Sequence, residues 1–214
     1  MKNLFYVLII VCLVASCKEI KTQKKIPEPT IAEKIAIAHG FEHWNKVNEV
    51  AFNFNGRRYW TWNPKTNAIV YTKDSITINY NRHQMDSTAT QIDRAFINDK
   101  FWLLIPFQLV WDDGLEISNP VKAEAPISKD SLNKITMTYS NTGGYTPGDA
   151  YDLFLDDDYL IKEWIFRKGN SKEPSLINTF ENYQDFNGIK IALDHKNMEG
   201  NWNLKFSDVK ITLK

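Results

Sequence analysis

"VAFNFNGRRYWTW", residues 50–62, decides the fold. Val50, Phe52 and Phe54 alternate with Ala51, Asn53 and Asn55, a period of two that places the apolar side chains on one face of a strand. Asn55-Gly56 predicts a two-residue hairpin turn, because both residues tolerate positive φ. The chain then returns with Trp60 and Trp62 sharing one face of the second strand.

The same pattern continues outward. "NPKTN" turns the chain, and "AIVYT" and "SITINY" extend the sheet. Further on, "KITMTYS", "DAYDLFLD", "LIKEWIF", "SLINTFENYQDF", "IKIALDHK", "WNLKFSD" and "VKITLK" read as strands, with Asn187-Gly188 and Glu199-Gly200 marking tight turns. Roughly ten antiparallel strands result. No short repeat period is present, which argues against a propeller or solenoid.

Two segments break the pattern. In "TIAEKIAIAHGFEHW", Thr30 and Glu33 form a capping box, and Ile31, Ile35 and Ala38 recur at helical spacing. "STATQIDRAFIND" predicts a second helix capped by Ser87 or Thr88. Next comes "FWLLIPFQLVW", Phe101 to Trp111, in which only Gln108 is polar. Pro106 is expected to stop any helix before it runs through this segment. Eleven residues are too few to span a bilayer, which takes about 20 in a helix. The predicted fold is mainly β (α+β): a large curved antiparallel sheet or half-barrel, its concave face covered by Thr30–Lys46 and Met85–Trp111.

The chain start points to a location. Lys2, then "LFYVLIIVCLVAS", then Cys17 have the layout of a secretory signal peptide, with small residues before the cut. Val14-Ala15-Ser16-Cys17 resembles a bacterial lipobox, which implies acylation at Cys17. The expected organisation is a signal peptide over 1–16, a flexible tether over 17–30 rich in Lys, Glu and Pro, and one domain over 31–214. Cys12 is lost with the signal, so no free thiol remains for disulfides, thiol catalysis or a cysteine zinc site. The 26 basic and 26 acidic residues balance, and such a chain has no electrostatic footprint for nucleic acid. The expected membrane partner is reached through the lipid anchor alone. One acid among the basic residues after Cys17 favours the outer membrane, facing the periplasm.

Catalytic signatures are missing. His39 and His43 stand at i, i+4, but without a third ligand they predict a surface imidazole and a packed one, and no metal. Asp156-Asp157-Asp158 and Asp112-Asp113-Gly114 read as solvated turns. "NTGGYTPGDAY" has no Lys-Ser/Thr and reads as a long hairpin loop, with Tyr145, Asp149 and Tyr151 as contacts if it binds. The expectation is a protein without enzymatic activity or cofactor; the competing class is a hydrolase using Asp149 or His195.

"AHGFEHW", "FWLLIPFQL", "GGYTPGDAYDLFLD" and "FENYQDFNGIKIALDH" resemble a group of bacterial lipoproteins. The order of elements resembles the lipoprotein-localisation carrier fold, the LolA/LolB-like half-barrel. That resemblance implies an apolar cavity for a lipid or acyl chain, roofed by helices. Its candidate lining is Trp60, Trp62, Phe101, Trp102, Leu104, Ile105, Phe107 and Trp111. Seven tryptophans are many for one domain. Aromatic platforms that stack sugar rings give the second reading, a carbohydrate-binding module, and a filled core gives a third, a structural envelope lipoprotein.

Overall fold

The structure, a computed structural model, describes residues 27–214. The signal peptide, Cys17 and most of the tether lie outside the described residues.

Helix α1 (Ile31–Ala38) starts at the Thr30–Glu33 capping box and leads through a 3-10 turn (Phe41–Lys46). Then come β1 (Val47–Phe54), β2 (Arg58–Asn63), β3 (Ala68–Lys73), β4 (Ile76–Asn81) and the long helix α2 (Ser87–Trp111). They are followed by β5 (Leu115–Ile117), β6 (Val121–Glu124), β7 (Ser131–Tyr139), β8 (Ala150–Leu155), β9 (Ile161–Arg167) and β10 (Leu176–Thr179). The chain ends with β11 (Glu181–Phe186), β12 (Ile189–Lys196) and β13 (Asn203–Leu213). All neighbours pair antiparallel: a seven-stranded sheet in the order β11-β12-β13-β1-β2-β3-β4, and a six-stranded sheet in the order β10-β9-β8-β7-β5 with β6 also on β7.

The mainly β fold with helical cover is as the sequence predicts, with differences in detail. Among the described residues there are 13 strands in two sheets. "SLINTFENYQDF" is two strands, because the chain crosses from one sheet to the other at the buried Phe180. "WNLKFSD" and "VKITLK" are one strand, with a register shift against β1 and Asp208 at φ 53°. The first hairpin is one residue longer than expected. Asn55 and Gly56 both take positive φ, and Arg57 N–H closes the turn on Phe54 O at 3.0 Å, but Arg58 pairs with Phe54.

The second helix corrects two expectations. Asp86 caps it, its carboxylate accepting from Ala89 N–H at 2.7 Å, not Ser87 or Thr88. Pro106 does not end it. The helix continues to Trp111 with a kink at Leu104 (φ −125°, ψ 28°), the position whose backbone yields to the proline ring. Burial on two sides outweighs a proline penalty of about 3 kcal/mol. Phe96, Leu103, Leu104 and Phe107 pack with Val50, Phe52, Trp60, Trp62 and Phe206 of the seven-stranded sheet. Phe101, Ile105 and Leu109 pack with Ile135, Met137, Leu153 and Trp164 of the six-stranded sheet and with Ile35 of α1. Each such side chain contributes about 1.5–3 kcal/mol on leaving water.

Two of the sequence segments that carry the family resemblance meet in space. A Cβ on Gly40 would stand 1.8 Å from Gly188 O, and one on Gly188 would stand 2.5 Å from the His43 ring. Both glycines also have positive φ, so the turn after α1 and the β11–β12 turn can approach this closely only without side chains. Lys190 N–H donates to His39 O at 3.1 Å beside them.

Candidate functional site

The 3-10 turn, the end of β2 and the last three turns of α2 converge on one cleft. Trp44, Trp62, Pro64, Lys100, Gln108, Trp111 and Asp112 line about 240 Å³. Period two fixes Trp62 on the inner face of β2, and helical spacing brings Lys100, Gln108 and Trp111 to one face of the C-terminal half of α2. The indoles brace each other. Trp44 lies 4.8 Å from Trp111 and 5.6 Å from Trp62, and Phe107 packs edge-on behind Trp44 and Trp111 at 5.6 and 5.5 Å.

Lys100 extends across this aromatic floor, with Nζ 5.9 Å from the Trp62 ring and 5.6 Å from the Trp111 ring. Among the described residues it has no ion pair or hydrogen bond. Burial, aided by the nearby Arg82 charge, brings its ammonium down to about 8, against the opposing pull of Asp112 and Asp93. Asp112 ends α2, where a negative charge meets the negative end of the helix dipole. Burial raises its pKa, and Tyr139 Oη donates to its Oδ2 at 2.6 Å. Two further polar atoms of the lining are buried without a partner among the described residues: Trp62 Nε1, a donor, and Gln108 Oε1, an acceptor. Buried polar groups are ordinarily paired, and leaving one unpaired costs about 1–3 kcal/mol. A cleft with an unpaired cation and a carboxylate on an aromatic floor is equipped to hold a small ring compound bearing polar groups.

A wider groove of about 700 Å³ lies between α1 and β5, lined by Thr30, Ile31, Lys34, Leu115, Ile117 and Tyr159 among others. None of its lining residues has a buried unpartnered side-chain atom.

The residues expected to line a cavity are divided. Trp62 and Trp111 reach the cleft. Trp60, Leu104 and Phe107 are at most 1% exposed in the first core, and Phe101 and Ile105 likewise in the second. Trp102 lies between the cores, edge-on to Trp164 and His195. The β7–β8 loop folds back onto the protein: Tyr145 stacks on Phe101 at 3.9 Å, Tyr151 Oη and Thr146 Oγ1 are 3.1 Å apart, and Asp149 accepts from Gly169 N–H at 2.7 Å. His195 is fully buried and His39 nearly so. Asp156 carries the turn before β9 by accepting from Asp158 and Leu160 N–H. Among the described residues no group of three or more His, Cys, Asp or Glu is placed to hold a metal, and no helix is long and apolar enough to cross a membrane. Trp44, Lys100 and Gln108 were not singled out as binding residues from the sequence. The one available signal was the tryptophan count.

Fold and cleft together define a mainly β protein with two antiparallel sheets sharing a kinked helix, and a tryptophan-floored cleft at one end of that helix. A scan against protein-family models finds no match, and a search of curated proteins finds none. A solved structure described as a DUF1329 family protein from Desulfovibrio piger is similar over 84% of this chain and 91% of that chain, with a TM-score of 0.41 and 8% identity. That likeness is too slight to carry a function across.

Proposed function

We propose that this chain is a lipid-anchored envelope protein without catalytic activity of its own, facing the periplasm from the outer membrane, and that its domain is a binding module for a ring compound of the carbohydrate class. The anchor rests on "LVASC" and the tether that follows it. Labelling cells with a fatty-acid probe is expected to mark the wild type and leave Cys17→Ala unmarked; a labelled Cys17→Ala protein would remove the anchor from the reading.

The convergence of Trp44, Trp62 and Trp111 around Lys100 carries the binding proposal. Indole faces stack on the C–H faces of sugar rings, while Lys100, Gln108 and Asp112 offer hydrogen bonds of both polarities. The volume is slightly below the usual range for ligand pockets, about 300–1,000 Å³, which suits one ring at the end of a larger molecule. The acyl-chain alternative needs a gap beside Leu104 and Phe107, where the side chains in contact are protein.

Glycan-array binding of the full-length protein in detergent separates the two. Binding is expected, with Trp111→Ala weakening it at least tenfold, about 1.4 kcal/mol, while the circular dichroism spectrum is kept. Uptake of a fluorescent fatty-acyl probe with no glycan bound would replace this reading with the acyl-chain one.

A further inference from the structure

We propose that the ligand of the tryptophan cleft is an acidic sugar, a ring carrying a carboxylate, with Lys100 as the residue that selects it. This inference rests on the carbohydrate reading and deepens it. The cleft's polar groups are of two kinds. Lys100 is a cation held over two indole faces with no counter-ion paired to it among the described residues. Trp62, 6% exposed, keeps a buried N–H without an acceptor, and Gln108, 2% exposed, keeps a buried carbonyl oxygen without a donor. A carboxylate can pair with the Lys100 ammonium, and a ring hydroxyl can donate to the Asp112 oxygen that Tyr139 leaves free. A neutral sugar would leave the half-buried Lys100 ammonium without a counter-ion. A phosphate dianion would place a second negative charge near Asp112 with a single cation to balance it.

The surroundings of Lys100 are mixed in sign. Arg82, after β4, opposes its charge. Asp93 on α2 and Asp112 at its end support it, Asp112 being itself influenced by Asp113 and by Tyr139 of β7. With burial, the balance puts Lys100 near 8, so its charge, and with it the preference for an acid, is lost in the alkaline range.

Titration calorimetry of the full-length protein with glucuronate, galacturonate, glucose, galactose and glucose 6-phosphate tests this. A uronate is expected to bind at least tenfold tighter than its neutral counterpart at pH 7, and the ratio to fall severalfold by pH 9.5. Lys100→Met, which keeps the stem and removes the charge, is expected to bring the ratio close to one. Lys100→Arg is expected to preserve it and abolish its decline between pH 7 and 9.5. Equal binding of acidic and neutral sugars by the wild type overturns the selection by Lys100 and leaves the carbohydrate reading standing. A preference that survives in Lys100→Met, or glucose 6-phosphate binding as tightly as a uronate, overturns it too. No binding of any sugar overturns both.

Discussion

Asp99→Ala is expected to cost about 3–5 kcal/mol, the loss that follows when one partner of a buried ion pair is removed. Asp99 is fully buried on α2 and accepts four hydrogen bonds: two from Arg58 at 2.7 and 2.8 Å, one from the Trp60 indole at 2.9 Å and one from Asn98 at 3.0 Å. Alanine would leave a guanidinium and a buried indole N–H unpaired at once. In a domain of this length the melting temperature should drop on the order of 10 °C. Adding Arg58→Met should recover part of the loss, since it removes the stranded cation. Urea denaturation of the wild type and the two variants checks this. A loss below about 1 kcal/mol in Asp99→Ala would mean that apolar packing alone holds α2 to the seven-stranded sheet.

The second large effect is acid instability centred on His195. Its ring is enclosed by Trp102, Phe180 and Phe206, with centroids at 5.5, 4.5 and 5.7 Å. Nδ1–H donates to Thr179 O at 3.1 Å, and Nε2 is buried without a partner, so a second proton would have no acceptor. Burial accordingly takes the pKa down to about 4. Because the folded value lies below the unfolded one of about 6.5, the unfolded chain binds the proton first. The contribution of His195 is fully present well above pH 6.5 and is lost as pH falls towards 4, at on the order of 1.4 kcal/mol per pH unit. His39 acts in the same direction, burial lowering it also to about 4. Its ring nitrogens face oxygens, Ile35 O at 2.8 Å and Tyr183 Oη at 3.2 Å, so it adds a similar share over the same pH range. The lowered carboxylates Glu33, Glu181 and Asp194 begin to contribute only below about 4.5. Urea midpoints between pH 7.5 and 4.5 should therefore decline, and less steeply in His195→Leu. A flat profile would show that His195 finds an acceptor when protonated.

The hairpin at Asn55-Gly56 was legible because period and turn chemistry are both local and agree. The crossing at Phe180 was not. An apolar residue continues the strand pattern whether the chain stays in its sheet or leaves it, and only the partner strands tell the two apart. Pro106 misled for a related reason: the penalty is local, whereas the burial that outweighs it comes from strands up to about a hundred residues away in sequence. Asp86 was overlooked because Ser87 and Thr88, beside it, are equally good caps by type. In the cleft, Trp62 and Trp111 were legible as aromatic residues with more than one use. Lys100 and Gln108 were not, since a lone lysine in a helix ordinarily reads as solvated. Their role depends on Trp44, which comes from the 3-10 turn before β1.

The kinked helix also constrains how the molecule can be assembled. Because α2 gives one set of side chains to each core, neither sheet has a complete interior of its own. Its residues lie between β4 and β5, so the four strands before it must wait for β11, β12 and β13, at the far end of the chain, to finish their sheet. The N-terminal half therefore has no self-sufficient resting state during synthesis. Until the last residues arrive, the apolar run from Phe101 to Trp111 has only part of its shelter, and the same segment that joins the finished protein is the one its unfinished form most needs to keep from other chains.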